Sequence, residues 1–426
     1  MQPPAQPRGA ADKAVSADDL AALRASIETA LPAYLADLER AVDIDCGSYT
    51  PAGVDRVGTW VAEFLERLGG RAERRPDPSG RLGSTVVATF DGRPGSGPRL
   101  VLIGHLDTVF DEGTAAARPF EIREDGRAYG PGVTDMKSGL VSGLYAIKAL
   151  LAFGGAGLPF ERLVFIANPD EEIGSPSSTP HIREVASESD ACLVLESARA
   201  NGDIVSSRKG IIDLRLVVHG RAAHAGVEPE KGRSAILEGA RLVRELHELN
   251  GRWPGVTVNV GLIDGGTRPN VVAERCTLEV DVRAVARGPL EAVEAAIREI
   301  VAAPSVPDVT VEIEEMARWW PMEKLDRSRR LVDQALALAG RIGFPLADAA
   351  TGGASDGNTT SGMGVATLDG LGPIGGGDHS PAEYLEVDSI VPRTTLLAAL
   401  LLAIARDPVI ADWRDEPGGS VPAASD

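Results

Sequence analysis

Five segments of the 426-residue chain each deliver a histidine or a carboxylate where a strand or turn runs out. "VLIGHLDTVF" ends by presenting His105 and, two residues on, Asp107. "GPGVTDMKSG" offers Asp135 at the mouth of a helix, and "RLVFIANPDEEIGS" delivers Asp170, Glu171 and Glu172. "ACLVLES" ends on Glu196, and "GPIGGGDHSPAEYLE" places His379 in a glycine-rich loop. Side chains two apart on a strand share a face, so His105 and Asp107 look into one pocket while Leu106 turns into the core.

Taken singly, each piece has a plain reading. His105 beside Asp107 is a core histidine satisfied by its neighbour, "DEE" is a solvated acidic turn, and "GGGDH" is a loop. Together, at successive strand ends, they say more, because ligand sites of open α/β sheets form beyond the carboxyl ends of the strands. Acids crowded there repel one another unless a cation neutralises them. Histidine with carboxylate, and no thiolate, suits a zinc-like ion in a hydrolytic site. Two metals sharing a bridging carboxylate account for His105, Asp135, Glu172, Glu196 and His379. That leaves Glu171 as a base and Asp107 to orient His105. His181 and His247 sit in polar helical contexts and read as surface residues; His219 alternates within a strand and reads as structural.

The elements that must carry these residues follow from periodicity. Residues 18–42 and 52–69 show helical spacing, and β-rich runs follow at "STVVATF" and "RLVLIGH". A helix is predicted from Met136 to Phe153, then strands at "RLVFIAN" and "ACLVLES". This alternation predicts a mostly parallel sheet flanked by helices. The middle differs: its pattern is β-α-β-β-α-β, a split βαβ (ferredoxin-like) α+β module inserted into the first domain. The expected boundaries are 18–208 and 318–408 for the catalytic domain and 209–317 for the insert, with 1–17 and 409–426 disordered.

Composition bounds the reading. No stretch approaches the ~20 uninterrupted apolar residues of a membrane helix, and the N-terminus lacks the apolar centre of a secretory signal, so the cytoplasm is the expected location. Cys46, Cys192 and Cys276 lie far apart and share no metal-type spacing; buried thiols are expected. The formal charge of -19 disfavours nucleic acid and anionic membranes as partners.

The set "GHLDTV", "GPGVTDMKSG", "NPDEEIGS", "LVLES", "GRAAHAG", "TRPNVVAERCTLEVDVR" and "GGGDHSPAEYL" resembles the zinc-dependent exopeptidase family of glutamate carboxypeptidases, aminoacylases and succinyl-diaminopimelate desuccinylases. "RKG", "PEKGRSAI" and "SDGNTTSGMGVATLDGLGP" are most similar to the glutamate carboxypeptidase branch. The resemblance implies two zinc ions, with cobalt or manganese as substitutes: His105 and Glu196 on one, Glu172 and His379 on the other, Asp135 bridging. It implies Glu171 as general base. Glu196, where carnosinase-like dipeptidases carry Asp, favours the carboxypeptidase and deacylase branches. In this family the inserted domain makes a homodimer and supplies a histidine, which matches His224. Asn270 and Arg283 match its binders of the substrate carboxylate. By pattern alone Asn270 is a turn residue and Arg283 the partner of a surface acid; the resemblance reverses both. Lys209 and Arg318 are basic candidates near the hinge segments.

The expected function is a metal-dependent hydrolase of N-acyl amino acids, or one releasing a C-terminal, glutamate-type residue from small peptides. An N-deacylase of a biosynthetic intermediate is the nearest rival. A silent metal-binding dimer has no need of Glu171, and a nucleotide-binding protein lacks the required glycine-rich loop after the first strand.

Overall fold

A computed structural model describes residues 15–95, 97–154 and 160–413. They form two compact units: residues up to Ser206 with Lys324–Ala350 and everything from Ser355, and Ser207–Glu323 with Thr351–Ala354. Patterning set the insert at 209–317; contacts draw it slightly wider and add the short return at 351–354. Of the ends expected to be disordered, 1–14 and 414–426 lie outside the described residues. Their inner edges are packed, with Val15, Ile410 and Trp413 in the core.

The first unit is built from β1 (Arg71–Arg75), β2 (Thr85–Asp91), β3 (Arg99–His105), β4 (Arg162–Asn168) and β5 (Ala191–Val194). The second uses β6 (Gly210–His219), β7 (Thr257–Gly265), β8 (Arg275–Ala284) and β9 (Thr310–Trp319); β10 (Ala366–Leu368) returns to the first. Six strands make the main sheet of the first unit, ordered β1-β2-β4-β3-β5-β10. β4, β3, β5 and β10 run parallel, whereas β2 is antiparallel to both its neighbours. The sheet is therefore mixed but mostly parallel, as expected, with three of its five pairings parallel; β2 is the strand that runs against the rest, a direction that apolar periodicity does not carry. β3 is buried from Leu100 to His105, as a strand covered on both faces must be. β1, "RAERR", is polar and closes the edge.

Helices flank this sheet. Ala17–Val42 starts with a reciprocal cap between Ser16 and Asp19. Ile390–Ala405 is buried almost throughout, and its apolar residues share one core with Ser138–Gly154 and Ala17–Val42. Some of the polar groups that enter that core bond one another. The Tyr34 hydroxyl donates to the Ser138 carbonyl at 2.7 Å and lies 2.9 Å from Ser142 Oγ, which accepts from Thr394 Oγ1 at 3.0 Å.

The second unit orders its sheet β7-β8-β6-β9, antiparallel throughout. Helices Ala235–His247 and Arg287–Ala302 share its apolar core. All three cysteines are buried free thiols.

One close approach ties the first unit's fold to its rim. A Cβ at Gly139, in the first turn after Asp135, would lie 1.8 Å from the Leu195 carbonyl oxygen, the residue before Glu196. Glycine there lets the helix start and the end of β5 touch backbone to backbone. Gly139→Ala should lower stability by about 2 kcal/mol or more, the overpacking cost exceeding alanine's helical gain of ~1 kcal/mol. Gly340→Ala, where an added Cβ meets nothing within 4 Å, should be neutral or stabilising. Urea midpoints for the two variants would reveal the contrast; equal midpoints would mean the close approach carries no constraint.

Candidate metal centre

β3, β4 and β5 stop side by side. His105 is in register with Asn168, and the Leu195 amide donates to the Ile103 carbonyl at 2.9 Å. The residues just beyond these ends, Asp107, Glu171, Glu172 and Glu196, therefore emerge along one rim. Asp135 comes from the turn Val133–Lys137 ahead of helix Ser138–Gly154. The Gly372 amide donates to the Glu196 carbonyl at 2.8 Å, fixing the segment that leads to His379.

Asp135 stands between the two imidazoles. His105 Nε2 is 3.2 Å from Asp135 Oδ1, and His379 Nε2 is 3.1 Å from Asp135 Oδ2. His105 Nε2 also lies 3.7 Å from Glu196, and His379 Nε2 3.2 Å from Glu172. Ligand atoms of His105, Glu171 and Glu196 fall within 4.8 Å of one another, as do those of His105, Asp135 and Glu172. Imidazole nitrogens and carboxylate oxygens grouped this closely fit divalent cations, and the central Asp135 offers one oxygen to each side.

Charge explains the protonation behaviour. His379 is pushed up to about 10, chiefly by its hydrogen bonds to Asp135 and Glu172. Burial works against a charged His105, but Asp107 and Asp135 outweigh it and raise it well above the ordinary value. Burial also works to raise Asp135, yet bonds from the two histidines hold it below the usual carboxylate range. Burial raises Glu172, and raises Glu171 well above its ordinary value. The field that draws protons onto these imidazoles is the field that attracts a metal ion, so the two compete.

Asp107 does more than orient His105. Fully buried, it lies 3.4 Å from His105 Nδ1 and accepts the amides of Glu171 at 3.1 Å and Glu172 at 3.2 Å. Ser48 donates its hydroxyl to the same carboxylate at 2.6 Å. Asp170, next in sequence to Glu171, instead accepts from Ser177 N at 2.6 Å and Ser178 Oγ at 2.6 Å, closing the local turn.

Sequence reasoning missed Glu383. It is almost wholly buried and takes the amides of Gly132, Thr134 and Asp135 at 2.8, 2.9 and 3.1 Å. Burial pushes it up to about 7 despite those three donors. Its one sequence signal is its place four residues beyond His379 in "DHSPAE".

The remaining sequence candidates lie in the second unit. His224 is exposed; its Nδ1 accepts the Gly226 amide at 3.1 Å. Asn270 is an exposed turn residue whose carbonyl accepts from the Ala225 amide at 3.0 Å, bringing it beside the His224 segment. Arg283 pairs with Asp281 at 2.9 Å and donates to the Gly352 carbonyl at 2.8 Å. Arg318 is held by Glu294 at 2.9 Å and Glu315 at 2.6 Å. Lys209 is half-buried, its amide bonded to the Thr351 carbonyl at 3.1 Å.

Comparison with known proteins adds ancestry to this geometry. The model of peptidase family M20/M25/M40 matches residues 101–403. Carboxypeptidase G2 of Pseudomonas sp. (strain RS-16) is 29% identical over 374 residues, 87% of this chain and 89% of that protein. Acetylornithine deacetylase of Proteus mirabilis is 30% identical over 236 residues, 52% of this chain and 58% of that protein. The crystal structure of aminopeptidase PepT from Bacillus cereus shares the fold, with a TM-score of 0.73 at 21% identity over 88% of this chain and 99% of that one.

Glu383→Gln turns one acceptor oxygen into a donor facing an amide N–H. The Asp135 turn should loosen, and metal affinity should fall about 10–100-fold, the usual effect of losing a group that supports a ligand. Chelator competition measures this; unchanged affinity would show that the turn holds itself.

Proposed function

The chain belongs to peptidase family M20/M25/M40, metallo-hydrolases of peptides or N-acyl amino acids, and from that premise we propose a finer reading. It holds two zinc ions and cleaves the amide of an N-acyl amino acid, or releases a C-terminal, glutamate-type residue from a small peptide. His105 and Glu196 hold one ion, Glu172 and His379 the other, and Asp135 is shared. When bound, such ions lower the pKa of water and polarise a scissile carbonyl.

The observation that carries the reading is Glu171. It joins His105 and Glu196 within 4.8 Å while its amide is pinned by Asp107. A purely structural metal site has no use for an extra carboxylate so placed. Glu171 takes the proton of the attacking water and returns it to the leaving amine. His224 adds an oxyanion donor: because Nδ1 accepts the Gly226 amide, the neutral ring carries its proton on Nε2. Arg283 and Asn270 bind the substrate's free carboxylate, Arg283 with the N–H groups that Asp281 and Gly352 leave over; Lys209 adds positive charge. Likeness to carboxypeptidase G2 across 87% of the chain supports this over a deacylase of a biosynthetic intermediate, a class whose relatives match 52% to 62% of the chain.

The protein further acts as a homodimer through the second unit. β7 ends the sheet with one edge unpaired in that order, and it exposes Leu262 (63%) and Ile263 (52%). Ile236 and Leu237 of helix Ala235–His247 are exposed too. A second copy related by a twofold axis covers both strand edge and apolar side chains.

Two measurements test these proposals. Glu171→Gln should keep its metal and substrate affinity yet lose about 10²–10⁴-fold in turnover on N-acyl amino acids; near-normal kcat would place the base elsewhere. Leu262→Lys with Ile263→Lys should convert a dimer to a folded monomer by light scattering. A dimer that survives both charges would move the interface off β7.

A further inference from the structure

The metal centre does not by itself say what acyl group it accepts, but a cavity in the first unit bears on this. About 570 Å³ in volume, it opens beside Glu172 between the segment after β3 and the turn that leads into helix Pro51–Arg67. Those two segments are laced together. Gly47 and Thr108 form a parallel bridge, and the Thr108 amide donates to the Cys46 carbonyl at 3.0 Å. A Cβ on Gly47 would meet the Phe110 carbonyl oxygen at 2.5 Å, so the backbones approach as closely as they can. Ser48, also in the lining, bonds Asp107, which holds the Glu171 and Glu172 amides. The cavity wall and the reaction centre are thus one connected piece.

The lining has a definite chemistry. Tyr49, Val109, Phe110 and Ile173 supply its apolar surface; Tyr49 is 67% exposed and Val109 41%. Its charges are the carboxylates of Asp111, Glu112 and Glu172, and no lysine or arginine is among the lining residues. Arg118 stacks on the Phe110 ring at 4.6 Å without lining the cavity. An exposed tyrosine beside a catalytic rim is surface that a ligand can cover. Carboxylates at the same mouth repel an anionic group.

We propose that this cavity receives the acyl half of the substrate, that it selects a bulky apolar acyl group without negative charge, and that Tyr49 is the specificity-determining side chain. The proposal rests on the amidohydrolase reading above, which gives the substrate's free carboxylate to Arg283 and Asn270 and leaves the acyl half for another surface. Asp111 and Glu112 then act by exclusion, since a dicarboxylic acyl group such as succinyl brings a second negative charge to an acidic mouth.

Matched N-benzoyl, N-acetyl and N-succinyl derivatives of one amino acid test this on the zinc-loaded full chain. Wild type should prefer benzoyl over acetyl and disfavour succinyl. Tyr49→Ala should lower kcat/KM for the benzoyl substrate about tenfold and leave the acetyl substrate within about twofold, the size expected of one apolar contact. Asp111→Lys with Glu112→Lys, both at exposed positions, should raise succinyl relative to benzoyl several-fold, and less so at high salt. The same ranking should appear in Kd for the three compounds on Glu171→Gln, measured by calorimetry. Turnover whose acyl preference neither variant alters would overturn the pocket and leave the amidohydrolase reading standing. Turnover of none of the three by metal-loaded wild type would overturn both.

Discussion

Mutual repulsion among carboxylates is the constraint to which the rest of the first unit answers. Asp135, Glu171, Glu172 and Glu196 gather around His105 and His379 within a few ångströms, in surroundings that screen charge poorly. The chain handles its acids in two ways. Those that face the rim lean on imidazoles and, on the proposed reading, on the divalent cations they would hold. Those behind it, Asp107 and Glu383, are met by fixed N–H and O–H dipoles: two amides and a hydroxyl for one, three amides for the other. A buried carboxylate that receives several N–H donors holds those backbone segments in return. The repulsion that would disperse the site is thereby converted into fixed positions for Asp135, Glu171 and Glu172.

That conversion needs backbones brought very close. A Cβ at Gly375 would lie 2.0 Å from Thr134 Oγ1, much as one at Gly139 would meet the Leu195 carbonyl. Glycine at such points lets the segments bearing Asp135, Glu196 and His379 converge without side chains between them. Beneath them, the apolar helices Ser138–Gly154 and Ile390–Ala405 are buried because they are apolar nearly all round. Hydrophobic burial supplies the stability, and the rim spends part of it on holding like charges together.

How much of this was legible in the sequence divides along the same line. Each proposed ligand sits just past a strand or turn whose periodicity is visible in one dimension, so His105, Asp135, Glu172, Glu196 and His379 can be grouped from the sequence. The pairing of His105 with Asp107 was legible because strand geometry puts i and i+2 on one face. The hold of Asp107 on Glu171 and Glu172 was not, since it depends on how β3 and β4 align. Glu383 was invisible for a stronger reason: its three partners lie about 250 residues away, and "SPAEYLE" reads as an unremarkable exit from a loop. The direction of β2 escaped because alternation looks the same in parallel and antiparallel strands. The polar β1 escaped because an edge strand need not alternate at all.

Arg283 shows where chemistry and pattern pull apart. Pattern made it the partner of a surface acid, and Asp281 is such a partner; resemblance made it a carboxylate binder. Both hold if the ion pair orients the guanidinium rather than exhausting it. Asp281 largely cancels the positive charge at a distance, so Arg283 does little to draw an anion through the field of a chain with formal charge -19. What survives is short-range: N–H groups fixed in direction by Asp281 and the Gly352 carbonyl, able to recognise a carboxylate already in contact. On the proposed reading, selection for the free carboxylate is therefore made by hydrogen-bond geometry after encounter. Salt would ease the encounter by screening the long-range repulsion, and it would weaken the final contact much less.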